Sequence, residues 1–280
     1  VRTIMCKRHP SLPFTVGAPS MVFGVDPFDN ARRLADTVDD MEIVLFHTPT
    51  QHNLPTPREI REFRRLREEL DLTYTVHLPC SLEPASEDPD LRKFSTRLAR
   101  EICLGAMEMD PEHFIVHIPV TEPTLVAEPG NYLTEPGQFA WDAWTGRALE
   151  FLCELGETIG DHGPLLVENI NYSPTFMEPL WEQGPCELCL DMGHLALGSE
   201  DAPSYVLKYR ALTRAIHLHG VVGYQEHISL KRMDRERTRQ WLRSLRASRF
   251  DGVLTFEVFD PEDLSESLDE LLAFFQTDDQ

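Results

Sequence analysis

Histidines and carboxylates end several short apolar runs in this chain: His77 in TYTVHLP, His117 in FIVHIP, Glu168 in LLVENI, Asp191 in LCLDMGH, His217 in AIHLHG and Glu257 in LTFEVF. Neutral imidazoles mixed with carboxylates are the donor set of a divalent transition ion such as zinc, manganese, iron or cobalt, whereas carboxylates alone suit magnesium or calcium better. Any one histidine beside an apolar strand is more often a hydrogen-bonded core or rim side chain than a ligand. Glu168 and Glu257 resist that reading, because an ionised carboxylate in an apolar run is costly unless paired or metal-bound. His217 and His219 lie two apart on one strand and face the same way, which makes His219 a supporting donor or a substrate contact. His194, three residues past Asp191, and His227 in YQEHISL are loop candidates for the same site. Asn169 beside Glu168 is a further candidate for substrate binding. So are Lys231 and Arg232, which would neutralise a phosphate, against the plainer reading of a solvated basic pair.

Ligands spread over a whole chain meet only if the strands carrying them converge. Residues 14–24, 42–47, 73–78, 113–118, 164–169, 186–191, 214–219 and 252–258 read as strands, being short, apolar and bounded by Gly, Pro, Asp or His. Helical periodicity lies between them. Over 57–70 it aligns Ile60, Phe63, Leu66 and Leu70 behind Thr56, Pro57 and Glu59, the order of an N-cap, an N1 proline and a capping-box acid. Residues 90–109 align Leu91, Phe94, Leu98, Ile102 and Met109; residues 138–159 align Trp141, Trp144, Ala148, Phe151, Leu155 and Ile159; a last helix after Asp260-Pro261 carries Leu264, Leu268, Leu271 and Phe275. Repeated β-then-α units of this kind predict a (β/α)8 TIM barrel, an α/β fold formed as a single domain over residues 1–280. Active sites of such barrels gather where the strands end, which is where every residue of the opening set stands. Segments 79–89, 119–137, 170–185 and 220–233 read as long loops on the same rim, and the proline-rich 119–137 as a lid or a dimer contact.

Composition narrows the partners. The formal charge of −21 opposes non-specific nucleic-acid binding, which draws its affinity from Lys and Arg on phosphates. No apolar stretch approaches the ~20 residues of a membrane span, and VRTIMCKRHPSLP lacks the apolar region of a secretory signal, so a cytoplasmic setting is expected. Cys186 and Cys189 form a lone C-x-x-C without a partner pair, and the cysteines read as small buried thiols.

These strand-end ligands resemble those of the xylose-isomerase-like barrel superfamily, which includes sugar isomerases, epimerases and the endonuclease IV group. The endonuclease IV pattern implies a polynuclear zinc cluster. On that resemblance His77 and His117 would hold one metal. Glu168 would bridge to a second, bound by Asp191, His217 and Glu257, and His194 and His227 would serve a third. Gln225 departs from the pattern, which has an Asp there. Within the superfamily, VDDMEIVLFH, NLPTP and LDLTYTVHLP over 38–79 are similar to the cobamide-remodelling phosphodiesterases, with His47 where a Glu is expected. That family cleaves the nucleotide-loop phosphodiester of cobamides and leaves cobinamide phosphate. The resemblance implies a phosphodiesterase with one to three divalent ions, a small-molecule substrate such as a corrinoid, and Glu168 and Glu257 as catalytic carboxylates. The alternative is a sugar isomerase or epimerase with a single ion on Glu168, Asp191, His217 and Glu257. Further readings are an endonuclease IV-like DNA-repair enzyme and a non-catalytic corrinoid- or sugar-binding barrel.

Overall fold

Runs such as TYTVH and HFIV are buried along their whole length, as strands covered on both faces must be. A computed structural model describes residues 8–120 and 138–277 of the protein. In it Thr15–Pro19 (β1), Asp40–Val44 (β2), Thr73–His77 (β3), His113–Val116 (β4), Leu165–Glu168 (β5), Glu187–Asp191 (β6), Thr213–Leu218 (β7) and Val253–Phe256 (β10) pair in parallel. The ladder closes on itself, because β1 pairs with both β10 and β2. This is the expected (β/α)8 barrel. The two remaining strands, Gly220–Val222 (β8) and Gln225–Ile228 (β9), form a separate antiparallel hairpin.

Helices wrap the barrel: Pro27–Leu34 (α1), Pro57–Leu70 (α2), Pro89–Ala106 (α3), Gln138–Ile159 (α4), Pro174–Gln183 (α5), Met192–Leu197 (α6), Ala202–Lys208 (α7), Arg235–Ser248 (α8) and Pro261–Thr277 (α9). The capping box of α2 is present in both directions, Thr56 with Glu59. None of the helices among the described residues is long and apolar enough to cross a membrane.

Several expected boundaries move. Strand β2 begins at Asp40 rather than 42, because its acidic first residue turns into the barrel and is buried. It ends at Val44 because Asn53 takes over the next backbone groups, accepting from Phe46 N–H at 2.7 Å and donating to Val44 O at 2.8 Å. Segment 170–185 is not a loop throughout: Ser173 caps it and Pro174 opens α5. Segment 220–233 holds the hairpin and a 3₁₀ turn at Leu230–Arg232. The apolar stripe of α3 starts two turns later than its sequence suggests, since Leu91 and Phe94 are exposed and Leu98 is the first buried member. Cys80 and Cys153 are exposed, unlike Cys103, Cys186 and Cys189. All but two residues of the 119–137 segment lie outside the described residues.

The barrel interior is layered with the period of two that strands impose. Ile115, Leu166, Cys189 and Ala215 form a small apolar cluster of their own. Two residues further along the same chain segments come His117, Glu168, Asp191 and His217. The ligand types therefore stand one step above an apolar floor, at the strand ends.

Candidate metal centre

The convergence expected of the strand-end residues occurs. Glu168, Asp191, His217 and Glu257 each place a donor atom within 4.8 Å of all the others. His217 Nδ1 lies 3.3 Å from Glu168 Oε2, 3.3 Å from Glu257 Oε2 and 3.8 Å from Asp191 Oδ2. His77 Nε2 and His117 Nε2 are each 3.1 Å from the same oxygen, Glu168 Oε2. His194 Nδ1 approaches the other carboxylate oxygen, Glu168 Oε1, at 3.4 Å.

Local structure aims each ring. His77 Nδ1 is 2.8 Å from the Leu78 carbonyl, which can only accept, so Nδ1 carries the proton and Nε2 faces the centre. The same logic fixes His194 against Asn169 O at 3.0 Å and His227 against Glu257 O at 2.9 Å. His217 is held the other way round. Its Nε2 meets Glu42 Oε2 at 2.9 Å, both side chains fully buried, which leaves Nδ1 for the centre. Glu42, on β2, was not among the sequence candidates.

His219 takes a supporting place. The His227 backbone N–H donates to His219 Nδ1 at 3.0 Å, so the neutral ring keeps its proton on Nε2, which lies 3.4 Å from Asp191 Oδ2. Asn169 spends its side chain on Asp191: Nδ2 donates to Asp191 O and Oδ1 accepts from Asp191 N–H, both at 2.9 Å. Asp191 in turn caps α6, accepting from His194 N–H at 2.5 Å.

His194, His219 and His227 form a third group of mutually close donors. Beside it Gln225 is exposed, but the next residue, Glu226, brings its carboxylate to 4.0 Å from both His194 Nε2 and His227 Nε2. Lys231 and Arg232 are engaged elsewhere: they pair with Glu266 and Asp263 of α9 at 3.8 and 3.0 Å. His47 stacks on His52 in the loop after β2, also outside the cluster.

The electrostatics are those of a site whose carboxylates are neutralised by imidazoles. Burial would raise the Glu168 carboxyl, but His217 and His117 beside it hold it well below the usual carboxylate range. Asp191 is likewise held low against its burial by His194 and His219. Burial would lower His217, yet Cys189, Glu42, Glu168 and Glu257 raise it well above an ordinary histidine. Burial is outweighed in the same way at His77 and His117, both raised chiefly by Glu168, and at His219, which Asp191 lifts to about 9.

These residues fit a divalent ion on geometric grounds. Glu168 Oε1, Asp191 Oδ2, His217 Nδ1, Glu257 Oε2 and His117 Nε2 are buried without a hydrogen-bond partner. Buried polar atoms are nearly always satisfied, and these lie close together without being aligned on one another. They converge on shared points, as ligands do.

Comparison with known proteins places the fold. No curated protein matches the sequence. Among solved structures, a D-tagatose 3-epimerase-like protein superimposes with a TM-score of 0.75 at 23% identity, covering 94% of this chain and 97% of the other. The D-psicose 3-epimerase from Clostridium cellulolyticum H10, solved with D-tagatose, gives a TM-score of 0.70 at 12% identity, covering 93% and 98%. The 3-keto-D-glucoside 4-epimerase from E. coli gives 0.71 at 14%, covering 94% and 99%. At these identities the likeness is one of fold. All three are named for epimerases, none for a phosphodiesterase or a corrinoid. Residues 28–277 match the family described as xylose isomerase-like TIM barrel, and with nearly the whole barrel inside that match the chain belongs to this family.

Proposed function

We propose that this protein is a divalent-metal-dependent phosphodiesterase acting on a small molecule, with the nucleotide-loop phosphodiester of cobamides as the first substrate to test. One observation carries the reading: His77 and His117 both reach Glu168 Oε2 at 3.1 Å, and neither belongs to the set that Glu168 forms with Asp191, His217 and Glu257. A one-ion centre needs only Glu168, Asp191, His217 and Glu257. Two further imidazoles on the same carboxylate favour a second ion with Glu168 as the bridge. Bound divalent ions would supply Lewis acidity at a phosphoryl oxygen and a water activated near neutral pH. The chain's own residues do the rest. Glu168 and Glu257 flank His217 at 3.3 Å, and as carboxylates held ionised they would orient the attacking water. Asn169 and His219 hold Asp191 in one orientation, and Glu42 holds His217.

A sugar epimerase with a single ion is the second reading. The quartet of Glu168, Asp191, His217 and Glu257 suits it, and of the comparison structures named above two are epimerases and the third is epimerase-like. Metal analysis and a substrate panel separate the two. The proposal expects two or three zinc ions per chain and release of cobinamide phosphate from a cobamide, read by mass spectrometry, with no turnover of ketoses. One ion per chain with interconversion of ketoses would replace it by the epimerase.

A further inference from the structure

We propose that Cys80 is a sulfur ligand of the ion held by His77, His117 and Glu168, which makes this half of the centre a mixed nitrogen, sulfur and oxygen site selective for zinc or cobalt over manganese or magnesium. The inference rests on the polynuclear reading given above and adds a donor to it. Cys80 stands three residues past His77, beyond the end of β3. Its sulfur and one ring nitrogen each of His77 and His117 all lie within 4.8 Å of one another. A tetrahedral ion with bonds of about 2.0 Å to nitrogen and about 2.3 Å to sulfur sets its donors about 3.5 Å apart, inside that limit.

The two rings are set edge to face, 4.8 Å between centroids at 86°. His117 Nε2 is buried without a hydrogen-bond partner, although Glu168 Oε2 is 3.1 Å away. The ring is thus turned towards a point between the donors rather than towards the carboxylate alone. Two imidazoles, a thiolate and a carboxylate oxygen make a four-donor set of the kind zinc takes in tetrahedral sites. A thiolate among them turns selectivity from hard to softer ions. Cys80 is exposed where the other thiol near the centre, Cys189, is buried beside Glu168 and His217. Access to the barrel mouth lets Cys80 take and release an ion without opening the core.

Cobalt(II) reports sulfur ligation directly. The full chain is stripped with a chelator, reloaded with cobalt(II), and its spectrum and bound cobalt are measured for wild type, Cys80→Ser and Cys189→Ser. The wild type and Cys189→Ser should show near-ultraviolet sulfur-to-cobalt charge transfer. Cys80→Ser should lose it while keeping its visible d–d bands, and should bind zinc at least about tenfold more weakly, the lower end of what losing even a ligand's hydrogen-bond partner costs. Charge transfer that persists in Cys80→Ser, or is absent from wild type, overturns the assignment. The cobalt count keeps the two ideas apart. Two or more ions without a sulfur band would remove Cys80 alone; one ion with a Cys80-dependent band would remove the polynuclear reading alone; one ion without a band would remove both.

Discussion

Glu42 holds no place at the rim, yet it decides which nitrogen His217 offers. Its carboxylate and the His217 ring are both fully buried and 2.9 Å apart, so Nε2 is occupied and Nδ1 is the free donor. Removing such a partner typically weakens metal affinity about 10- to 100-fold. Glu42→Ala should do so in a competition titration against a chromophoric chelator, with its circular dichroism unchanged; wild-type affinity would show that His217 needs no such hold. At Glu168 the stakes are higher, because four imidazoles and both candidate ion positions meet on it. Glu168→Ala should abolish turnover in the folded protein, and turnover near wild type would sink the proposed role. The strand-end donors were legible in the sequence because each acid or histidine interrupts an apolar run. Glu42 was not singled out, although it sits in MEIVLF and falls under the same argument as Glu168: a carboxylate buried among Ile, Val and Leu requires a partner. The preceding Asp39 and Asp40 disguised it as part of a polar approach to the strand.

The elements fix how closely the rings can approach. Helix α6 begins one residue after Asp191, and Gly193 in its first turn leaves the room that His219 occupies; a Cβ there would lie 2.0 Å from His219 Cε1. Gly193→Ala should therefore displace His219, cut metal affinity and lower the unfolding midpoint, while Ala at the unhindered Gly146 of α4 should leave metal binding as it is. Helix α2 lies far from this chemistry in role, and its cap gives a clean contrast. Thr56→Ala should lower stability by about 1 kcal/mol in a urea titration and leave metal binding untouched. Long periodic helices such as α2 and α4, and the buried parallel strands, could be read from the sequence because many residues repeat one pattern. The β8–β9 hairpin could not. Its strands have three and four residues, too few for alternation to show, and only Gly223 at φ 62° in the turn marks it. That hairpin carries His227 at φ 54°, a left-handed backbone that places its ring against the Glu257 carbonyl.

Across the whole molecule, the barrel interior is lined with ionisable groups that the fold must keep. Asp40 is wholly buried, and burial, with Glu112 and Glu42 nearby, raises its pKa from 3.8 to about 7. The folded chain therefore keeps this proton between those values while the unfolded chain releases it, so stability falls as pH rises through that window and levels above it. Asp40→Asn removes the effect and preserves an acceptor for the Thr73 hydroxyl. Its unfolding free energy from urea titrations should gain on wild type from pH 4 to 7, by at most about 4 kcal/mol at 1.36 kcal/mol per unit; a constant gap would refute the buried neutral acid. The raised histidines around Glu168 have a different consequence, which belongs to thermodynamic linkage. In the metal-free chain protons do the neutralising, so a cation can enter only by evicting them. The heat of zinc binding should then depend on the ionisation enthalpy of the buffer, with a slope that counts the protons given up. Acidification competes with the metal, and the barrel becomes an exchanger in which loading an ion and releasing acid are one event.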